Sequence, residues 1–262
     1  MRVVGVQHQI DWHDPEATMS RVSPQIEGAV AAGADLVCLT EMFSTGFSMD
    51  TDSVVEPVDG PSSQFLARSA AQASDMAGRP IHLVASVPTV DPEAHAELPV
   101  NRLFVFGPVG LIGTYDKLHP FSLSGEDKYY AAGSAPLTLT IQGVRVSFFV
   151  CFDLRFAYSF WDLALDTDLY VIVANWPASR RLHWQTLLRA RAIENLAYVL
   201  GVNRVGDDGN GFGHAGDSVL LSPRGETLAS AAEIETLVIG DIDPGVVAGT
   251  RERFGFLNDR KR

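Results

Sequence analysis

Val144-Arg145-Val146-Ser147-Phe148-Phe149-Val150-Cys151-Phe152-Asp153-Leu154-Arg155-Phe156 runs from an apolar segment through a cysteine towards a helical pattern. Its first half is rich in β-branched and aromatic residues with little alternation, the pattern of a strand buried on both faces. Gln142-Gly143 leads into it as a two-residue turn and pairs it with 137–141 as a hairpin. The strand ends on Cys151. A helical pattern over 156–165 comes next, and then a second buried strand over 169–174. Strand, helix and strand, flanked by a hairpin, predict a mixed sheet with helices packed outside it.

The same alternation extends in both directions. Residues 3–7 read as a strand. A helix over 15–32 has Asp14 as N-cap and Gly33 as its stop. Residues 35–39 read as another buried strand, since Leu36, Val37, Cys38 and Leu39 are all apolar. A helix over 61–77 has Pro61 in its first turn and Gly78 after it. A strand over 81–87 precedes a hairpin of 101–106 with 111–115 through Gly107-Pro108-Val109-Gly110. Residues 117–135 are irregular. A helix over 183–195 offers Leu187, Leu188, Ala190, Ala192 and Ile193 for packing, and strands at 198–203, 218–222 and 236–241 complete the set. No linker, repeat or low-complexity segment interrupts this order. The chain reads as one α/β domain over 1–262, with enough strands for two sheets.

Composition narrows the function. Net charge is −12 and the pI is near 4.9, with no basic face for nucleic acid. The one dense basic run, Arg260-Lys261-Arg262, reads as a solvated tail. The N-terminal apolar stretch is too short for a signal peptide, and no run approaches the ~20 apolar residues that span a bilayer. Two cysteines, Cys38 and Cys151, suit a reducing cytoplasm. Seven scattered histidines form no metal-ligand spacing, so neither metal nor cofactor is expected. The Gly-rich 207–213 lacks the Lys-Ser/Thr of a phosphate loop and reads as a turn. Cys38, mid-strand, reads as core.

Three segments carry reactive groups at strand ends: Leu39-Thr40-Glu41-Met42-Phe43-Ser44-Thr45-Gly46-Phe47, Tyr115-Asp116-Lys117-Leu118-His119, and Val150-Cys151-Phe152-Asp153. Each has a plain reading when taken alone: an exposed glutamate, a surface lysine, a buried cysteine. A cysteine just before a helix has a further property, because the free N–H groups there favour a thiolate and bind an oxyanion.

Together, and in this order, the segments resemble the nitrilase superfamily of carbon–nitrogen hydrolases. Ala174-Asn175-Trp176-Pro177, Arg189-Ala190-Arg191-Ala192-Ile193-Glu194-Asn195, Gly201-Val202-Asn203-Arg204 and Gly216-Asp217-Ser218 extend the resemblance along nearly the whole chain. It implies a four-layer α-β-β-α sandwich and a Glu41-Lys117-Cys151 triad. It also implies a second glutamate between Lys117 and Cys151. In Gly125-Glu126-Asp127-Lys128-Tyr129-Tyr130-Ala131-Ala132-Gly133 that is Glu126 by its distance from Gly133, with Asp127 as the rival. The sequence departs from the family at Thr40, Phe152 and Ala157, none of which removes a reactive group; Phe152 serves through its backbone N–H. His119 is expected to support the site structurally. The resemblance further implies homodimers or larger homo-oligomers.

Within the superfamily the chain looks most like bacterial ω-amidases, which act on amides of 2-oxo dicarboxylates. Such a substrate needs a cation for its free carboxylate, and Arg180 and Arg181 are the candidates. Phe43, Phe47 and Trp176 would form apolar walls; Arg155 is the weaker candidate. The expected partners are a small-molecule amide and water. The alternatives are a deaminated glutathione amidase, an N-carbamoyl hydrolase, and a non-catalytic binding subunit that keeps the fold.

Overall fold

The computed structural model describes residues 1–92 and 98–261, so His95 and the Arg262 end of the basic run lie outside the described residues. In chain order β1 (Arg2–Gln7), β2 (Leu36–Cys38), β3 (Glu56–Pro57), β4 (His82–Val90), β5 (Val100–Gly107) and β6 (Gly110–Asp116) enter a first sheet. A second sheet receives β7 (Leu137–Ile141), β8 (Val144–Val150), β9 (Leu169–Ala174) and β10 (Tyr198–Asn203). After a ribbon of β11 (Val205–Asp207) and β12 (Gly213–Ala215), β13 (Val219–Leu221) and β14 (Thr227–Ser230) return to the second sheet and β15 (Thr236–Asp241) to the first. The helices are α1 (Pro15–Ala31), α2 (Thr51–Val54), α3 (Pro61–Ala77), α4 (Ala157–Asp162), α5 (Arg181–Asn195) and α6 (Pro244–Phe254).

Each sheet has a parallel centre and antiparallel margins. β1, β2 and β4 run parallel, as do β8, β9 and β10. The expected hairpins, β5–β6 and β7–β8, are present. Gln142 and Gly143 at the second turn have φ of 47° and 80°, as a type I′ turn requires.

The sheets face each other across a core that joins Val3, Leu36, Val84 and Leu103 of the first to Val146, Phe148, Val171 and Leu200 of the second. Gly5 sets this approach: a Cβ there would lie 2.9 Å from Val202 Cγ2. The outer face of the first sheet, through Val4, Val6, Val37 and Leu83, takes Val22, Ile26, Leu66 and Ala70 of α1 and α3. On the second sheet, Trp184 and Leu188 of α5 rest on Gly201. These four layers, α-β-β-α, are the expected sandwich. Each buried Val or Leu contributes roughly 1.5–3 kcal/mol, so the two faces of each sheet outweigh any single cap or ion pair.

Local signals held where caps and turns defined them. Asp14 accepts from the Ala17 N–H at 3.0 Å, and Gly78 closes α3 at φ 64°. The expected helix over 156–165 is shorter, with α4 succeeded by a 3₁₀ turn at Ala164–Asp166. Helix α5 begins at Arg181, two residues before the expected start. The strand over 218–222 narrows to β13, because Ser218 is drawn to Gln7 and Asn203 and Ser222 to Glu226. The sequence reading missed α6, although Asp243 caps it and Pro244 opens it; its two glycines weaken the pattern.

Candidate active site

Four chain segments leave strands at one end of the two sheets. Glu41 lies just past β2, Lys117 past β6, Cys151 past β8 and Asn175 past β9. Parallel strands point their carboxyl ends the same way, so residues far apart in sequence converge there.

Glu41 and Glu126 are fully buried and Lys117 nearly so. Lys117 Nζ donates to Glu41 Oε1 at 2.9 Å and to Glu126 Oε2 at 2.8 Å and Oε1 at 3.0 Å. Asn101 Nδ2 bridges the same carboxylates, at 2.8 Å from Glu41 and 3.3 Å from Glu126. The other Glu41 oxygen accepts the Asn175 N–H at 2.9 Å. Asp127, the rival, is exposed, while Glu126 is turned inward and also accepts the Phe121 N–H at 2.5 Å. Gly133 ties down the other end of this loop: its N–H donates to the Lys117 carbonyl at 2.9 Å, and a Cβ there would lie 2.0 Å from the Asp116 oxygen.

Two carboxylates facing one ammonium leave a buried excess of negative charge. Burial opposes the charge on Lys117, but Glu126, Glu41 and Cys151 outweigh it and raise its pKa. Burial also raises the Glu126 pKa against the pull of Lys117. The Cys151 thiol is pushed well up, first by burial and then by Glu41, with Lys117 opposing. At rest the cysteine is therefore a thiol in contact with a carboxylate able to take its proton.

Cys151 has φ 47°, a left-handed conformation that costs a non-glycine residue about 1–2 kcal/mol. The buried Asp153 holds this turn. Its Oδ2 accepts from Tyr115 Oη at 2.7 Å and from the Val150 N–H at 3.0 Å. Its Oδ1 accepts the His119 N–H at 3.0 Å and meets His119 Nδ1 at 2.7 Å. His119, stacked on Phe156 with ring centroids 3.8 Å apart, thus links the lysine segment to the cysteine turn. The cysteine opens a five-residue 3₁₀ helix, Cys151–Arg155, which stands between it and the expected α-helix. So short a helix has little dipole, but its first N–H groups, that of Phe152 among them, have no partner within it.

Above these groups lies a cavity of about 790 Å³ lined by Lys117, Cys151, Phe152, Asn175, Phe47 and Trp176. The structure brings Arg180 to its wall, over the Phe121 ring at 5.3 Å, and Arg155 beside it, over the Trp176 ring at 4.9 Å. Neither guanidinium has an acidic partner among the described residues. The Arg155 pKa is lowered by burial and by the Arg180 charge.

Two expectations fail. Arg181 turns away from the cavity, its Nη2 lying 2.7 Å from Asp217 Oδ1 and its Nη1 3.3 Å from Glu233 Oε1. Phe43 is fully buried and stacks on Phe65 of α3 at 6.0 Å, so it is core and not cavity wall. The turn 207–213 is the loop of the β11–β12 ribbon, and its Asp208, Asn210 and Phe212, with Trp12 and His13, form a wall that sequence reasoning missed. It also missed Asn101, Asp153 and Asn175.

The carbon-nitrogen hydrolase family matches residues 2–252, and the chain belongs to that family. It is an enzyme of the class that hydrolyses carbon–nitrogen bonds through a cysteine. The omega-amidase YafV of Escherichia coli K12 is 37% identical over 268 residues, covering 99% of this chain and 96% of that one. The 2-oxoglutaramate amidase of Bacillus subtilis 168 is 29% identical over 262 residues, covering 98% and 96%. Among solved structures, a CN-hydrolase superfamily protein from Xanthomonas campestris with an arsenic adduct in its active site aligns at a TM-score of 0.91 and 36% identity, covering 100% of this chain and 97% of that one.

Proposed function

We propose that this chain is an ω-amidase, converting an amide such as 2-oxoglutaramate or 2-oxosuccinamate to the 2-oxo dicarboxylate and ammonia, with Cys151 as nucleophile. The observation that carries the reading is the pairing within one cavity of Lys117 and Cys151, backed by the buried Glu41 and Glu126, with the two guanidiniums of Arg155 and Arg180. A chain of net charge −12 that holds two such cations in a cavity wall is suited to an anionic substrate.

In this reading Cys151 Sγ attacks the amide carbon as Glu41 takes the thiol proton. The oxyanion is held by the Lys117 ammonium and the Phe152 N–H; removing one such donor typically costs about 10²–10³ in rate. Glu41 then passes its proton to the nitrogen, the C–N bond breaks with its electron pair going to that nitrogen, ammonia leaves and a thioester remains. Water gives a proton to Glu41 and attacks the thioester, and the C–S bond breaks. The acid is released as Glu41 returns the proton to the thiolate. Glu126 holds Lys117 in place. Phe47 and Trp176 supply apolar walls.

The reading takes residues 1–262 as one catalytic domain working in a reducing cytoplasm, and both cysteines are free. It also takes the enzyme as a homodimer or larger, for which exposed Leu182 and Ile193 on α5 offer an apolar face. Among the described residues no helix is long and apolar enough to cross a membrane. Ammonia release from a panel of carboxylate-bearing ω-amides, neutral aliphatic amides, N-carbamoyl acids and deaminated glutathione tests the reading. Preference for the ω-amides of 2-oxo acids supports it, and preference for another class refutes the substrate.

A further inference from the structure

Asn175 sits at the cavity floor and is only 6% exposed. Its Nδ2 donates to the Glu41 carbonyl at 2.5 Å. A carbonyl oxygen can only accept, so the orientation of the side-chain amide is fixed, and Oδ1 is turned from the Glu41 backbone. That Oδ1 is buried and has no hydrogen-bond partner among the described residues. Buried acceptors are nearly always paired, so this one calls for a donor from outside the protein. It lies on the residue whose backbone N–H already holds the Glu41 carboxylate at 2.9 Å. The donor would therefore arrive beside the group that handles the reaction's proton.

Resting on the amidase reading above, we propose that Asn175 Oδ1 accepts a hydrogen bond from the –NH2 of the substrate amide and holds that nitrogen as it departs. A primary carboxamide carries two N–H donors on its leaving atom; an ester oxygen carries none and would meet Oδ1 lone pair against lone pair. The bond strengthens as the reaction proceeds. Glu41 protonates the nitrogen of the tetrahedral intermediate before the C–N bond breaks, so up to cleavage the group has ammonium character and its N–H groups are better donors, and it then leaves with the bond's electron pair as ammonia. An asparagine suits this place better than an aspartate, which would set a third carboxylate beside Glu41 and Glu126. Asn175 thereby selects nitrogen over oxygen leaving groups.

The test compares wild type and Asn175→Ala on 2-oxoglutaramate and on the ω-methyl ester of 2-oxoglutarate, which share one acyl group. The expected result is a fall of about 10- to 100-fold in kcat/KM for the amide, carried by kcat, as for loss of one charge-assisted bond. The ester rate should fall by much less, only by what loss of the Nδ2 bond to the Glu41 carbonyl costs. Where the ester is too slow to follow, modification of Cys151 by methyl methanethiosulfonate, which also uses Glu41 and offers no N–H, replaces it. Equal losses on amide and comparator overturn the proposal, because Asn175 would then act only by holding Glu41. Unchanged amide kinetics overturn it as well. If Asn175→Ala does not fold, Asn175→Ser carries the same comparison. Failure of the amidase reading looks different: wild type itself then releases no ammonia from the ω-amide.

Discussion

The carboxylate clamp gives the sharpest expectation about substrate. Arg155 and Arg180 both line the cavity, both are half-buried, and each stacks on an aromatic ring rather than on an acid. Replacing Arg180 with Met keeps most of the stem that covers Phe121 and removes only the charge and its donors. A charge-assisted hydrogen bond to a carboxylate is worth about 1.5–3 kcal/mol, or roughly 10- to 150-fold in kcat/KM. Because both groups keep some contact with solvent, the lower half of that range applies, and Arg155→Met should cost a similar amount. The assay is ammonia release from 2-oxoglutaramate and from a neutral amide of similar length. Arg181→Met is the matched control, since that side chain is committed to Asp217 and Glu233 outside the cavity. The prediction is a selective loss on the acidic substrate for Arg155→Met and Arg180→Met, and none for Arg181→Met. Equal losses on acidic and neutral amides would refute the clamp.

The buried charges set further expectations. Lys117→Met leaves two buried carboxylates without their ammonium and should destabilise by about 3–5 kcal/mol, while Lys117→Met with Glu126→Gln should melt closer to wild type; denaturant melts decide. Glu126→Gln alone removes one of the charges that raise the Cys151 pKa, so the pH profile of Cys151 alkylation should move to lower pH, and an unmoved or rising profile contradicts the charge balance. His8, fully buried against Thr40, has its pKa lowered from 6.5 to about 4 by burial, so the unfolded chain binds its proton first as pH falls. Stability should therefore drop by about 3 kcal/mol between pH 6.5 and 4, and His8→Gln should flatten that part of the melting curve. Cys38 is core, with its thiol pushed up by burial, so Cys38→Ala should stay active and iodoacetamide should label Cys151 far faster than Cys38.

The residues gathered at the cavity were legible only as a set. Glu41, Lys117 and Cys151 each have a plain reading alone, and it was their order at three strand ends that drew them together, while the distance from Gly133 pointed to Glu126, which is buried where Asp127 is exposed. The four layers came from the family resemblance, whereas an α/β domain with helices outside its sheets was legible from strands without alternation, since a strand buried on both faces must be covered on both. Direction of side chains was not. Arg180 and Arg181 are neighbours, but one ends a 3₁₀ turn and the next begins α5, so they point to different sides. Phe43 and Phe47 looked alike as aromatics after Glu41, yet the turn at Met42, φ 39°, sends Phe43 under α3 while Phe47 reaches the cavity. Asn101 gave no signal, and Asp153 and Asn175, though inside the quoted segments, were given no role, because a polar residue in or beside a strand is ordinary until its partners are known. The wall of Trp12 and 207–213 joins segments nearly two hundred residues apart that no local pattern connects.

Hydrolysis is expected to pass through an acyl group on Cys151. Mixing the enzyme with 2-oxoglutaramate, quenching in acid within the first turnovers and mapping the adduct by peptide mass spectrometry tests it directly. The expected result is one acyl group on the peptide carrying Cys151, cleared by hydroxylamine and absent in Cys151→Ala, which should fold normally and release no ammonia. Ammonia release by Cys151→Ala, or an acyl group found on Lys117 or Cys38 instead, would contradict it.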